Sequence, residues 1–154
     1  MKNPTYEIKK LPSDDLPTAI ELFALFNKIF YHKTEGERTL PGKDYLQRLL
    51  ATPEFHVFVA LADGKVVGGL TAYEFPMYLK EEKEAYLYDL AVEENFRRRG
   101  IARSLIDAMR EYGARNGIAT LFVEAHERDT DAVGFYASLG GEMEKVEHFN
   151  IYTL

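Results

Sequence analysis

Tyr86-Leu87-Tyr88-Asp89-Leu90-Ala91-Val92, Glu93-Glu94-Asn95-Phe96 and Arg97-Arg98-Arg99-Gly100-Ile101-Ala102 follow one another without interruption and carry three physical signals. The first seven residues are aromatic, aliphatic or β-branched apart from one carboxylate, which suits a strand buried on at least one face. From Ile101 onward Ile101, Leu105, Ile106, Met109 and Tyr112 recur with the spacing of one helix face, so a helix is expected to start beside Gly100. Between strand and helix lies a cationic loop that ends in glycine. A helix start offers unpaired backbone N–H groups and the positive end of the helix dipole, and a glycine there lets an anion come close. A phosphate compound is the expected guest.

Working outward, Thr5 to Leu11 is expected to form a first strand. Ser13, Asp14 and Asp15 offer caps and Pro17 suits a first helical turn, while Leu16, Ile20, Phe23, Phe26 and Phe30 form the apolar stripe of a helix packed on a sheet. Tyr31 to Gly42 is expected to be a loop near a substrate mouth, and a short helix should run from Asp44 to Leu50. Phe55 to Leu61 and Val66 to Phe75 are expected strands, joined at Asp63-Gly64 into a hairpin. Pro76 to Lys83 breaks the pattern before the strand that begins near Glu84.

Asn116-Gly117 should end the helix that began at Ile101, and Thr120 to Ala125 should form a strand parallel to its predecessor across a right-handed crossover. Asp129-Thr130-Asp131 can cap a last helix, Ala132 to Leu139, and Met143 to Tyr152 fits one or two closing strands. The expectation is a single α/β domain over residues 1–154, a mixed sheet flanked by helices.

Composition narrows the function classes. The chain has 154 residues, enough for one core without covalent staples, and no cysteine, so disulfides, thiolate metal sites and a thiol nucleophile are excluded. Residues 1–10 contain no apolar run of signal or membrane length, which suggests a soluble cytoplasmic protein with no membrane role. A net charge of −6 argues against nucleic acid and favours cationic ligands. His32, His56, His126 and His148 show no metal-ligand spacing, so no metal is expected.

The loop lacks the Lys-Ser/Thr ending of a P-loop and the three glycines of a dinucleotide fingerprint. Its Arg97-x-x-Gly100-x-Ala102 instead resembles the Arg/Gln-x-x-Gly-x-Gly/Ala signature of the GCN5-related N-acetyltransferases, whose loop cradles the pyrophosphate of acetyl-coenzyme A. Tyr88-Asp89-Leu90-Ala91-Val92 before it and Gly134-Phe135-Tyr136-x-x-Leu139-Gly140 after it look like the type I aminoglycoside 3-N-acetyltransferases, and the similarity runs from the first helix to His148-Phe149-Asn150-Ile151.

That resemblance implies a mostly antiparallel sheet whose parallel strand pair splays apart to admit the acyl-pantetheine arm. It implies coenzyme contacts at Leu90, Ala91, Val92, Arg97, Arg98, Arg99, Gly100, Ile101, Ala102, Arg103, Ser104 and Phe135. It also implies a homodimer and a small polycationic substrate, an aminoglycoside acetylated at a 3-amino group.

Amine attack on a thioester needs a proton acceptor and an acid for the departing thiolate. Asp89, a carboxylate inside an apolar strand, is the candidate base, with a structurally paired Asp as the plain alternative. Tyr136 is, by resemblance, the candidate acid, with ordinary aromatic packing as its alternative. Glu84, Tyr88, Glu124, His126, Asp129 and Asp131 are the candidate substrate contacts, their acids forming a wall for ammonium groups. His126 and Asn150 stand where the family usually carries acids. Two rivals remain: acetylation of another amine on the same fold, and a non-catalytic acyl-coenzyme A-binding module that would have no use for Asp89.

Overall fold

A computed structural model describes residues 5–31 and 38–154. The chain divides into two compact units, Met1–Glu124 and Ala125–Leu154. In the first, β1 (Tyr6–Lys10), α1 (Leu16–Tyr31), α2 (Lys43–Leu50), β2 (Phe55–Ala62), β3 (Lys65–Pro76), β4 (Lys83–Val92), α3 (Ile101–Asn116) and β5 (Ile118–Val123) follow in order, with a single 3₁₀ turn at Glu94–Phe96. The second unit contains α4 (Thr130–Ser138). Residues 32–37, which hold His32 and most of the expected Tyr31–Gly42 loop, lie outside the described residues.

The five strands lie in sequence order, antiparallel from β1 to β4 and parallel between β4 and β5. Local chemistry explains most boundaries. Asp15 caps α1, its Oδ1 accepting from Thr18 N at 3.2 Å. Asp63 and Gly64 both take positive φ, the two-residue turn whose twist matches a β-hairpin.

Alternation sorts the sheet into two faces. Phe55, Val57 and Val59 pack with Leu22, Phe26, Leu50 and Ala91 on the face covered by α1 and α2. His56 and Phe58 point the other way, toward Tyr112 of α3, with ring centroids 4.8 and 6.1 Å apart. The α3 stripe Ile101, Leu105, Ile106 and Met109 is buried. Truncating a side chain such as Leu22 or Leu105, each with no exposed surface, should cost about 2–5 kcal/mol. At Gly69 a Cβ would fall 2.5 Å from Leu22 Cδ1 and 2.6 Å from the Phe58 carbonyl oxygen, so only glycine lets α1 lie this close to β3.

The expected closing strands between Met143 and Tyr152 are absent: residues 141–154 form no regular element. Their apolar positions, Met143, Val146, Phe149, Ile151, Tyr152 and Leu154, break the two-residue alternation, and all are exposed. Apolar side chains that remain in water supply no burial energy to offset the entropy of an ordered strand.

Candidate active site

Two features of β4 build the site. The first is a bulge. Thr71 pairs with Asp89 and Ala72 with Leu87, so Tyr88 is an extra residue in β4. Simple alternation would send Tyr88 and Asp89 to opposite faces. With the bulge, Tyr86, Tyr88 and Asp89 all belong to the α1/α2 face, where the Tyr88 ring meets Tyr73 and Tyr86 edge-on at 5.7 Å each.

The second feature is the early end of the parallel ladder. β4 pairs with β5 only from Lys83↔Ile118 to Leu87↔Val123, while β4 itself runs on to Val92. Beyond Leu87, the edge of Leu90, Ala91 and Val92 that faced β5 carries no partner strand among the described residues. Backbone N–H and C=O groups on such an edge are available to an extended ligand.

Asp89 is half-buried. Burial pushes its carboxyl above the ordinary range, and a hydrogen bond from Thr71 Oγ1 to Oδ2 at 3.4 Å pulls the other way. No ammonium or guanidinium among the described residues pairs with it. The result is a carboxylate with raised basicity. Glu84, Tyr86 and Glu124 share its face through the same alternation, and Tyr86 donates to Glu124 Oε2 at 3.3 Å. Burial, then the Glu124 charge, lift the Tyr86 hydroxyl above its usual range.

The loop beyond β4 ends in an uncapped helix. Gly100 takes φ +81°, a left-handed conformation that favours glycine, and no side chain caps α3. The N–H groups of Ile101, Ala102 and Arg103 occupy the first turn, and the intrahelical ladder opens with Ser104 N on the Gly100 carbonyl at 2.9 Å. Arg97 turns back, donating from Nε to the Val92 carbonyl at 3.0 Å, and so braces the end of β4. Arg98 is exposed in a left-handed conformation, and Arg99 lies over the Phe96 ring at 5.3 Å. The Ser104 hydroxyl meets Tyr6 OH at 3.0 Å.

In the second unit, Asp129 Oδ1 accepts from Ala132 N at 3.0 Å and so caps α4, with Asp131 in the first turn. His126 Nδ1 accepts from Arg128 N at 3.2 Å. Phe135 and Tyr136 meet edge-on at 5.3 Å, and burial with the Asp129 charge pushes the Tyr136 hydroxyl up to about 12. A phenol held that high stays protonated at neutral pH and keeps a proton to donate.

The candidates thus fall into two sets. Glu84, Tyr88, Asp89, Glu124 and the 90–104 segment lie in the first unit, and His126, Asp129, Asp131, Phe135 and Tyr136 lie in the second. Sequence reasoning missed Thr71, Tyr73 and Tyr86. Thr71 left one trace, a hydroxyl among the apolar residues of its strand. Among the described residues no group of three or more His, Cys, Asp or Glu side chains could hold a metal, and no helix is long and apolar enough to cross a membrane.

The sequence model of the acetyltransferase (GNAT) family matches residues 19–140. This chain belongs to that family. An aminoglycoside acetyltransferase from an uncultured soil metagenomic sample, solved in complex with sisomicin, is 39% identical and superimposes with a TM-score of 0.90 over 97% of this chain and 96% of its own. A second soil aminoglycoside acetyltransferase is 36% identical, with a TM-score of 0.90 over 97% and 99% of the two chains. Among curated sequences, an uncharacterised N-acetyltransferase of Methanocaldococcus jannaschii is 28% identical over 92% of this chain, which spans 63% of that protein's length. The ribosomal protein bS18-alanine N-acetyltransferase of Escherichia coli is 33% identical over 37% of this chain, corresponding to 38% of its own length. The chain accordingly has the mixed sheet and parallel β4–β5 pair of the GNAT fold and is structurally similar to aminoglycoside acetyltransferases.

Proposed function

We propose that this enzyme transfers an acetyl group from acetyl-coenzyme A to the 3-amino group of an aminoglycoside, acting as a cytoplasmic homodimer that confers antibiotic resistance. The observation that carries the proposal is the full-length likeness to a soil enzyme bound to sisomicin. The net charge of −6 and the acids Glu84 and Glu124 on the face of Asp89 suit a substrate with several ammonium groups.

Acetyl-coenzyme A supplies the acyl group as an activated thioester. The residues present fit it: an uncapped helix start behind a cationic loop suits a pyrophosphate, and the unpaired edge of β4 suits the amides of a pantetheine arm. In this proposal Arg97, Arg98, Arg99 and the N–H groups after Gly100 hold the phosphates, and Leu90 to Val92 align the arm. One N–H of that edge stabilises negative charge on the carbonyl oxygen. Asp89 takes the proton that the acceptor ammonium must lose before its nitrogen can attack the carbonyl carbon. As the carbon–sulfur bond breaks, the phenol of Tyr136 protonates the sulfur, and the second proton of the attacking nitrogen, shed as the amide forms, restores the phenol.

A second reading, acetylation of a protein N-terminus, draws on the local similarity to the bS18-alanine enzyme. Thiol release from acetyl-coenzyme A, assayed against aminoglycosides, polyamines and peptides with the product mapped by NMR, separates the two. The expected outcome is efficient turnover of an aminoglycoside at the 3-amino nitrogen, with a KM that rises with salt because charge attraction is screened over ~10 Å at 0.1 M. A neutral peptide turned over more efficiently than any aminoglycoside would establish the second reading instead.

A further inference from the structure

We propose that Thr71 is a positioning residue, whose hydroxyl orients the Asp89 carboxylate and favours its charged form. This rests on the assignment of Asp89 as proton acceptor in the proposed function. Thr71 lies in the buried part of β3, between Leu70 and Ala72, and is itself 3% exposed. Its partner across β2 is Val57 and its partner across β4 is Asp89, so one row of the sheet holds an apolar residue, a hydroxyl and a carboxylate. A valine would fill this place with no polar atom to satisfy. The buried hydroxyl needs an acceptor, and Asp89 Oδ2 at 3.4 Å provides it.

The bulge at Tyr88 is what brings the two together. Without it the pairing that gives Ala72↔Leu87 would set Thr71 opposite Tyr88. Among the described residues the titratable groups that interact with the Asp89 charge are phenols, Tyr73 from β3 and Tyr86 from β4; Tyr45 of α2 adjoins Tyr73, and the carboxylates Glu84 and Glu124 lie farther along the same face, beside Phe75 and Tyr86. Tyr88, coupled to both of those phenols, adjoins them from the bulge. None of them carries positive charge. Thr71 therefore supplies the hydrogen bond that works against burial at Asp89, and it fixes which oxygen is left for the substrate proton.

The test compares Thr71→Val, Thr71→Ser and Asp89→Asn in the full chain. Aspartate carboxyl carbons labelled with ¹³C are titrated by NMR, with the Asp89 signal assigned from its loss in Asp89→Asn, and kcat and KM are measured across the same pH range. In Thr71→Val the Asp89 midpoint should move up by roughly one pH unit, the size expected for loss of one hydrogen bond to a charged group. The acid limb of kcat should follow it while coenzyme KM stays put, and Thr71→Ser should restore both. A substrate ionisation is common to all variants and cancels in the comparison. If Thr71→Val melts lower but its Asp89 midpoint and kcat profile match wild type, the hydroxyl is merely structural and the inference is overturned. If Asp89→Asn itself retains activity within a few-fold, the role of Asp89 fails and takes this inference with it. An inactive Asp89→Asn beside an unshifted Thr71→Val overturns the inference alone.

Discussion

Glu74 and Asp89 are carboxylates on neighbouring strands of one sheet, the first facing α3 and the second facing α1 and α2, and burial penalises the charge of each. Glu74 answers the penalty with two partners. Its Oε2 accepts from His56 Nε2 at 2.8 Å and its Oε1 from Lys83 Nζ at 2.8 Å. These hydrogen bonds outweigh burial and hold its carboxyl below the ordinary range. Among the described residues Asp89 has only the Thr71 hydroxyl at 3.4 Å, and burial wins. The difference is one of basicity: a buried carboxylate that no cation meets holds a proton more readily than one that cations pair, which is the contrast the proposed role of Asp89 rests on.

The largest effect expected from this contrast is at Asp89. Asp89→Asn keeps the shape and removes the charge, so kcat/KM should fall by ~10²-fold or more in steady-state kinetics, with coenzyme affinity unchanged. Stability should move the other way. A carboxyl whose folded pKa lies above its unfolded value helps folding at low pH, and that help is lost as pH rises through the folded value. Asp89→Asn should therefore melt higher than wild type at neutral pH, and the gain should vanish in acid, where the carboxyl is protonated in folded and unfolded chains alike.

Glu74 should behave as the mirror image. Glu74→Gln replaces a carboxylate with an amide whose N–H₂ end must face one of two donors, so denaturant unfolding should show a loss of about 1–3 kcal/mol. The folded fraction should keep kcat/KM within a few-fold. A Glu74→Gln enzyme that is stable but inactive would break the division between the two faces.

The smallest effect concerns His56. It is 2% exposed, its Nε2–H donates to Glu74, and its Nδ1 is buried with no partner among the described residues. Burial holds its pKa below the ordinary value, although Glu74 opposes this, and Lys10 and Lys83 add to the lowering. Tyr112 of α3 closes over the ring at 4.8 Å. A depressed histidine contributes stability above its unfolded pKa and loses it as pH falls toward the folded value. Between about pH 7 and 5 the Tm of wild type should therefore decline more steeply than that of His56→Gln, which has no imidazole to protonate. Parallel slopes would show that the unpartnered Nδ1 has no energetic consequence.

Much of this was legible in the sequence, and the misses have one kind of cause. The order of the described strands and helices up to Ser138 follows from local periodicity, caps and turns, although β5 starts at Ile118 rather than Thr120 and α4 at Thr130 rather than Ala132, and Asp89 stood out because a carboxylate in an apolar strand is costly without a reason. Glu74 gave no such signal near the end of its strand, and its partners His56 and Lys83 are remote in the chain. The tail from Met143 held enough apolar residues to suggest strands, yet local composition does not reveal whether anything buries them.

The sequence by itself determined the βαβ unit, the cationic loop with its glycine and the carboxylate before it, because each depends on residues within a few positions of one another. Only the tertiary structure decided that Tyr86, Tyr88 and Asp89 share a face and that Thr71, not a cation, meets the carboxylate. The physical reason is the bulge. One extra residue in β4 is counted against β3, so the register that sets those neighbours is a property of two strands together and is written in neither alone.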